Sequence, residues 1–96
     1  MTGKTRAKLR SLAMPQQSLF QIGKGGVSDE LLKGISQSLD KRELVKITVL
    51  KNCPDEKSEL MRTLCDGLKA EPIALIGNKI VIYRHSDAEG VSHIEL

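Results

Sequence analysis

Aromatic side chains are almost absent from this chain of 96 residues: Phe20 and Tyr83 are the only two, and tryptophan does not occur. Modules that read single-stranded nucleic acid by laying bases on aromatic rings, such as the RNA recognition motif or cold-shock barrels, need several such rings. The sequence therefore excludes a stacking platform of that kind.

Cysteine is also scarce, with only Cys53 and Cys65, and these two residues do not form a Cys-x-x-Cys pair. The two histidines, His85 and His93, come far along the chain in a polar segment, without metal-ligand spacing to either cysteine. The sequence therefore predicts no metal site. Cys65 falls on the apolar face of a predicted helix and is expected to be a small buried residue.

Long apolar runs are missing too, since no stretch approaches the roughly 18 residues that would indicate a membrane span. The basic N-terminus precedes only a weakly apolar stretch, so we expect neither a signal peptide nor a transit peptide. A cytoplasmic location is the resulting expectation. The length predicts one domain over residues 1–96, with a core over residues 4–85 and a loose tail over residues 86–96 that includes a short extension from Val91 to Leu96.

Charge is distributed unevenly along the chain. Residues 1–51 carry a net charge of +6 and residues 52–96 a net charge of −3, which together give the formal total of +3. A basic pole of this kind is typical of proteins that contact phosphate groups, although a solvated charged surface can produce the same asymmetry.

Apolar periodicity predicts a mixed α/β fold in the order α-β-α-β-α-β-β, with one four-stranded sheet packed against helices. Gly3 to Met14 should form a short basic helix that stops at Pro15. A strand is predicted over Ser18 to Ile22, followed by a helix that is capped by Ser28 and runs to about Leu39 or Asp40. A half-buried strand over Glu43 to Leu50 comes next, and then a helix capped by Asn52 or Cys53 with Pro54, Asp55 and Glu56 in its first turn. The last predicted element is a hairpin of Pro72 to Ile76 and Lys79 to Arg84 around Gly77-Asn78.

The stretch Gly23-Lys24-Gly25-Gly26 joins the first strand to the second helix. Glycine-rich turns at a helix N-terminus can present backbone N–H groups to a phosphate. The spacing does not match a Walker loop, because Lys24 is followed by Gly25 rather than by Ser or Thr. It also departs from the dinucleotide fingerprint, which places a third glycine where Ser28 stands and an acidic residue at the end of the second strand, whereas Glu43 precedes it. A nucleotide cofactor is therefore not expected.

Catalytic groups do not cluster in the sequence. The carboxylates fall mainly at predicted helix starts, where capping explains them, or in the polar tail. We therefore expect no enzyme activity. The remaining interpretation of Gly23 to Gly26 is a Gly-x-x-Gly loop like that of KH domains, which clamps the RNA sugar-phosphate backbone.

Three stretches also resemble a known family. Gln21 to Ser28 (QIGKGGVS), Glu43 to Ile47 (ELVKI) and Ile76 to Arg84 (IGNKIVIYR) resemble the CRM domain, in particular its stand-alone bacterial form, the YhbY family, over about Leu9 to Arg84. The resemblance implies a four-stranded sheet similar to that of the C-terminal domain of translation initiation factor three. It also implies RNA binding through the Gly-x-x-Gly loop and a nearby basic surface, and association with precursors of the large ribosomal subunit.

The residues and the resemblance together predict one RNA-binding surface, with ribosomal RNA of large-subunit precursors as the partner and without cofactor, metal, small-molecule substrate or membrane. The basic first helix should lie beside the glycine loop. The alternative is a protein-interaction module that docks on a ribosomal protein or a GTPase through the acidic half, residues 52–96; self-association stays open. The predicted nucleic-acid contacts are Gly23, Lys24, Gly25, Gly26, Lys4, Arg6, Lys8 and Arg10, with Lys41, Arg42 and Lys46 as further contributors.

Overall fold

The computed structural model describes residues 1–91 and 93–95 and shows three helices and one four-stranded sheet. The predicted element order is confirmed. The helices and strands are α1 (Gly3–Ala13), β1 (Phe20–Ile22), α2 (Asp29–Arg42), β2 (Leu44–Val49), α3 (Lys57–Leu68), β3 (Glu71–Ile76) and β4 (Lys79–Tyr83). The longest helix in the described part of the chain has 14 residues, and none there has both the length and the apolar character that a bilayer crossing requires.

The sheet has the strand order β1-β2-β4-β3. β1 and β2 run parallel, with Ile22 opposite Val49, and α2 forms the crossover between them. β4 pairs antiparallel with both β2 and β3. The β3–β4 connection is the expected tight hairpin, in which Gly77 takes a positive φ of 58° that a side chain would disfavour.

The ends of α2 are set by local chemistry. Ser28 Oγ accepts a hydrogen bond from the Leu31 N–H at 3.1 Å, which confirms the predicted N-cap. The helix runs on to Arg42, past the expected end at Leu39 or Asp40, because Lys41 and Arg42 place positive charge at the negative end of the helix dipole. It stops where Glu43 adopts the left-handed conformation (φ 66°).

The start of α3 differs from the sequence prediction. The helix begins at Lys57, several residues after Asn52 and Cys53, and Glu56 occupies the N-cap position without a side-chain hydrogen bond. The chain first makes a turn in which the Cys53 N–H donates to the Leu50 carbonyl. Pro54 disfavours helical backbone at the residue before it, so the segment around Cys53 forms a loop instead of a cap.

Both faces of the sheet are covered. Val45, Ile47 and Val49 of β2 join the core formed with α2 and α3, whereas Leu44 belongs to a second cluster on the opposite face, under α1. The prediction that β2 is half-buried is therefore wrong, since even the polar Thr48 is only 7% exposed. Periodicity within β2 did not reveal this, because the covering helix comes from the first residues of the chain.

Cys65 lies in the core between the sheet and the helices, as predicted. Burial, together with the nearby carboxylates of Asp66 and Glu71, raises the pKa of its thiol to about 11. The thiol stays protonated at neutral pH and acts as a small apolar side chain.

Arg84, directly after β4, is held by hydrogen bonds to two helices. Its guanidinium donates to the carbonyls of Leu68 and Ser36, each at 2.9 Å, and also bonds Asp40. One side chain therefore ties the end of α3 to the middle of α2.

The segment after Arg84 contains neither helix nor strand within residues 85–91 and 93–95, yet it is not loose. Ser86 is buried and its N–H donates to Glu43 Oε2, while the Ile94 N–H donates to Glu43 Oε1. Ile94 also packs against the cluster under α1. These contacts correct the expectation of a loose tail; Ser92 and Leu96, part of the predicted extension, lie outside the described residues.

Candidate nucleic-acid interface

The glycine loop, Gly23 to Gly26, follows the carboxyl end of β1 and leads toward α2. The Gly26 N–H donates to the Gly23 carbonyl at 3.0 Å, which closes a tight turn, and Gly26 has a positive φ of 67° that favours glycine. Lys24 and Gly25 are exposed at its tip, and within residues 1–91 their N–H groups have no protein acceptor. The loop therefore offers free backbone donors and one cation to an anion.

The β2–α3 loop lies against the glycine loop. Because β1 and β2 are parallel, their carboxyl ends meet at one edge of the sheet, and the Leu50 N–H donates to the Ile22 carbonyl at 2.8 Å. A Cβ at Gly23 would lie only 3.4 Å from Asn52 Oδ1. Lys51, between Leu50 and Asn52, is exposed on the loop that contacts Ile22 and Gly23.

Lys51 and Asn52 were absent from the predicted site. The signal that could have found them is the parallel pairing of β1 and β2, because parallel pairing brings the loops after two strands together. Strand direction was not assigned from the sequence, so this neighbourhood was not anticipated.

Negative charge also reaches this edge. A Cβ at Gly26 would lie 3.5 Å from Asp55 Oδ2, and Asp29 and Glu30 occupy the exposed first turn of α2. A phosphate must therefore approach from the side of Lys24 and Gly25, away from these carboxylates.

A groove of about 660 Å³ lies between the β2–α3 loop, the start of α3 and the hairpin turn. Val49, Leu50 and Leu75 supply apolar walls. Lys57 crosses its end by donating to the Gly77 carbonyl. The charged lining residues are Lys51, Asp55, Glu56 and Lys57, so the groove carries both signs of charge.

Arg6 of α1 is not placed beside the glycine loop, which corrects the expectation that it shares one surface with the loop. Arg6 Nε donates to the Pro72 carbonyl of β3 at 3.1 Å, and β3 forms the edge of the sheet opposite β1. Pro72 also aligns, through Ile82, with the start of β2 rather than its end. With strands about 4.8 Å apart and about 3.3 Å per residue, Arg6 lies roughly 20 Å from the loop.

The other predicted cations also spread over the surface. Lys4, Lys8 and Arg10 are exposed on α1. Lys41 and Arg42 are exposed in the last turn of α2, which has 14 residues and starts at the glycine loop. Because an α-helix rises about 1.5 Å per residue, the backbone of these two residues lies roughly 20 Å from the loop.

Lys46 has a structural role in place of the predicted RNA contact. Its Nζ donates to the carbonyls of Ala13, Met14 and Gln16 at 3.2 to 3.4 Å. These three bonds use all three ammonium donors and satisfy carbonyl acceptors at and just after the end of α1. Lys46 is therefore removed from the set of free cations.

Replacing Lys46 by Met should lower the free energy of unfolding by about 1 kcal/mol, because the carbonyls after α1 lose a cationic partner. RNA affinity should not change. Urea unfolding and filter binding measure the two effects, with the exposed Lys33→Met as the matched control. Unchanged stability combined with weaker RNA binding would return Lys46 to the binding surface.

The sequence and the fold of the chain are similar to those of known proteins. The model of the CRS1 / YhbY (CRM) domain family matches residues 1–84. This chain belongs to that family. The match confirms the resemblance drawn from the three sequence motifs, and it spans α1 to β4 together with the glycine loop.

The alignments with three relatives of this CRM domain span nearly the full length of both chains. It is 42% identical over 86 residues to "Probable RNA-binding protein YqeI" of Bacillus subtilis (strain 168), covering 90% of each chain. It is 25% identical over 87 residues to a protein of Haemophilus influenzae named "RNA-binding protein", covering 91% of this chain and 88% of that one. The solution structure of the hypothetical protein SAV1595 from Staphylococcus aureus superposes with a TM-score of 0.79 at 45% identity, covering 93% of both chains. The mixed α/β fold is thereby confirmed.

Proposed function

We propose that this CRM domain binds structured RNA, and that it does so on precursors of the large ribosomal subunit during ribosome assembly. The observation that carries the proposal is the glycine loop just before α2, where Lys24 and Gly25 are exposed and their N–H groups have no acceptor among the described residues. The names of the relatives from Bacillus subtilis and Haemophilus influenzae support RNA as the partner. The proposal places the protein in the cytoplasm, where bacterial ribosomes are assembled.

In this mechanism a phosphate oxygen accepts hydrogen bonds from the N–H groups of Lys24 and Gly25, while the Lys24 ammonium neutralises the same or the next phosphate. Lys51 extends the positive surface along the edge of the sheet. The contacts are to the backbone, so binding follows RNA shape more than sequence. The proposal includes no catalytic step.

The spread of the remaining cations favours a folded RNA over a short single strand. Arg6 of α1 and the exposed cations at the end of α2 lie on parts of the molecule remote from the glycine loop. A compact RNA can present phosphates to separated surfaces at once, whereas a few extended nucleotides at the loop cannot. We therefore keep Lys4, Arg6, Lys8, Arg10, Lys41 and Arg42 as secondary phosphate contacts.

Salt dependence tests the electrostatic part of the proposal. With about five phosphate contacts, a plot of log affinity against log salt should have a slope of roughly −3.5 to −4.5. Filter binding to a folded RNA hairpin over a series of KCl concentrations measures it. Lys51→Gln should make the slope shallower by about 0.7 to 0.9, the value of one contact. Affinity that does not change with salt would rule out a phosphate clamp.

Sedimentation of cell extracts on sucrose gradients tests the ribosomal part. The protein should migrate with large-subunit precursors, and a variant with an acidic glycine loop should not. Charge reversal of Asp55, Glu56 and Glu59, which lie in the acidic half, should leave that migration unchanged. The opposite pattern would favour the protein-interaction module over RNA binding.

A further inference from the structure

Glu43, His85 and His93 meet at the junction of α2 and β2, although they are distant in the sequence. His93 Nδ1 lies 2.9 Å and His85 Nδ1 lies 3.3 Å from the same carboxylate oxygen, Glu43 Oε2. One donor atom from each of the three side chains falls within 4.8 Å of the others. This cluster lies at the opposite end of α2 from the glycine loop.

The Glu43 carboxylate is held in place before any ligand arrives. It is 0% exposed, Oε1 accepts the Ile94 N–H at 2.8 Å, and Oε2 accepts the Ser86 N–H at 2.7 Å. Hydrogen bonds of this kind orient a carboxylate ligand in metal sites. The two imidazoles are on the outer side, with side chains 60% and 48% exposed, so an ion can reach them from solvent.

The imidazoles of His85 and His93 compete for one lone pair of Glu43 Oε2. After accepting the Ser86 N–H, Oε2 has a single lone pair left, and both Nδ1 atoms are near it. A cation bound to Oε2 and both Nδ1 atoms would satisfy all three groups together. With zinc–ligand bonds of 2.0 to 2.2 Å, ligand atoms of a tetrahedral site are about 3.3 Å apart, close to the 2.9 and 3.3 Å found here.

We propose that Glu43, His85 and His93 form a surface site for a divalent cation of the zinc class, with water completing the coordination shell. Imidazole nitrogens select zinc and its late first-row neighbours over magnesium and calcium, which prefer oxygen ligands. The imidazole rings are stacked, with centroids 4.5 Å apart and planes 16° apart.

The bound ion links the segment after β4 to the junction of α2 and β2. Ser86 directly follows His85 and Ile94 directly follows His93, and the N–H groups of Ser86 and Ile94 already donate to Glu43. Because the ion binds the folded chain and not the unfolded one, it should raise the free energy of unfolding.

Zinc chloride titrated into the full chain should bind at one ion per chain, with a dissociation constant of about 10 µM or tighter. At a zinc concentration about 100 times that constant, the melting temperature should rise by roughly 10 °C. His85→Gln and His93→Gln should each weaken zinc binding by at least about tenfold. Isothermal titration calorimetry and thermal unfolding measure these effects.

Cys53→Ser is the matched control, because Cys53 is the partly exposed thiol and an alternative zinc ligand. This variant should bind zinc like the parent chain. Three results would overturn the proposal: no zinc binding at 1 mM, binding that neither histidine variant changes, or binding that Cys53→Ser abolishes. The histidine variants carry the test because both side chains are largely exposed, so their loss does not disturb the core.

Discussion

Changing Lys24 and Gly25 together to Asp should weaken binding to a structured RNA by at least roughly 30-fold, about 2 kcal/mol. The double variant removes the cation at the tip of the glycine loop and places two carboxylates where phosphate oxygens would approach. The fold should tolerate it, because a Cβ at Gly25 meets no atom within 4 Å and Gly25 does not have a positive φ. We therefore expect a melting temperature within about 2 °C of the parent.

The matched control for this variant is Arg62→Glu combined with Gln37→Glu. It changes the net charge by the same amount, through exposed residues of α2 and α3 away from the loop tip. If the control loses as much affinity as the loop variant, overall charge and not the loop determines binding. Gly26→Ala would be a poor substitute as a probe, because Gly26 has a positive φ and the change would strain the turn itself.

The second large effect is expected at Glu43, where an Ala substitution should lower the free energy of unfolding by about 3 kcal/mol. The change leaves the N–H groups of Ser86 and Ile94 without their carboxylate acceptor and releases the anchored tail. Burial acts to raise the pKa of Glu43, but hydrogen bonds from Ser86, His93 and Ile94 outweigh it and hold the pKa below its usual value. The carboxylate is thus charged at neutral pH and contributes its full set of bonds.

Urea unfolding of Glu43→Ala should be compared with that of Asp40→Ala. Asp40 is a carboxylate three residues earlier, 53% exposed, in an ion pair with Arg84 at 3.0 Å. Exposed pairs contribute about 0 to 1 kcal/mol, so Asp40→Ala should cost much less. Similar losses for the two variants would show that the tail anchor adds no stability. Amide hydrogen exchange at Ser86 and Ile94 gives a second readout, because their protection should be lost only in Glu43→Ala.

The elements that were predicted well have strong local signals. The N-cap at Ser28 and the hairpin at Gly77 are specified by a few adjacent residues, and the structure confirms both. The start of α3 was predicted too early because Asn52 is a common capping residue, yet Asn52 belongs to a loop and packs beside Gly23. Capping chemistry alone does not distinguish a helix start from a polar loop just before it.

Charges were harder to assign than elements. Lys46 and Arg84 both appear in sequence as cations on a strand, and both donate their hydrogen bonds to main-chain carbonyls of helices. Lys51, which gave no signal of its own, becomes the neighbour of the glycine loop because β1 and β2 are parallel. The role of a long cationic side chain depends on what lies within its reach, and that is set by packing.

The sequence by itself determined the order of the elements, the glycine loop between β1 and α2, and membership of the CRM family, because these depend on residues close together in the chain. Only the tertiary structure decided that α1 covers the face of the sheet away from α2 and α3, and that Arg6 contacts β3, at the sheet edge opposite β1 and the glycine loop. It also decided that Glu43 anchors the final segment. Each of these contacts joins residues far apart in sequence, so it depends on strand order and helix placement, which local periodicity does not specify.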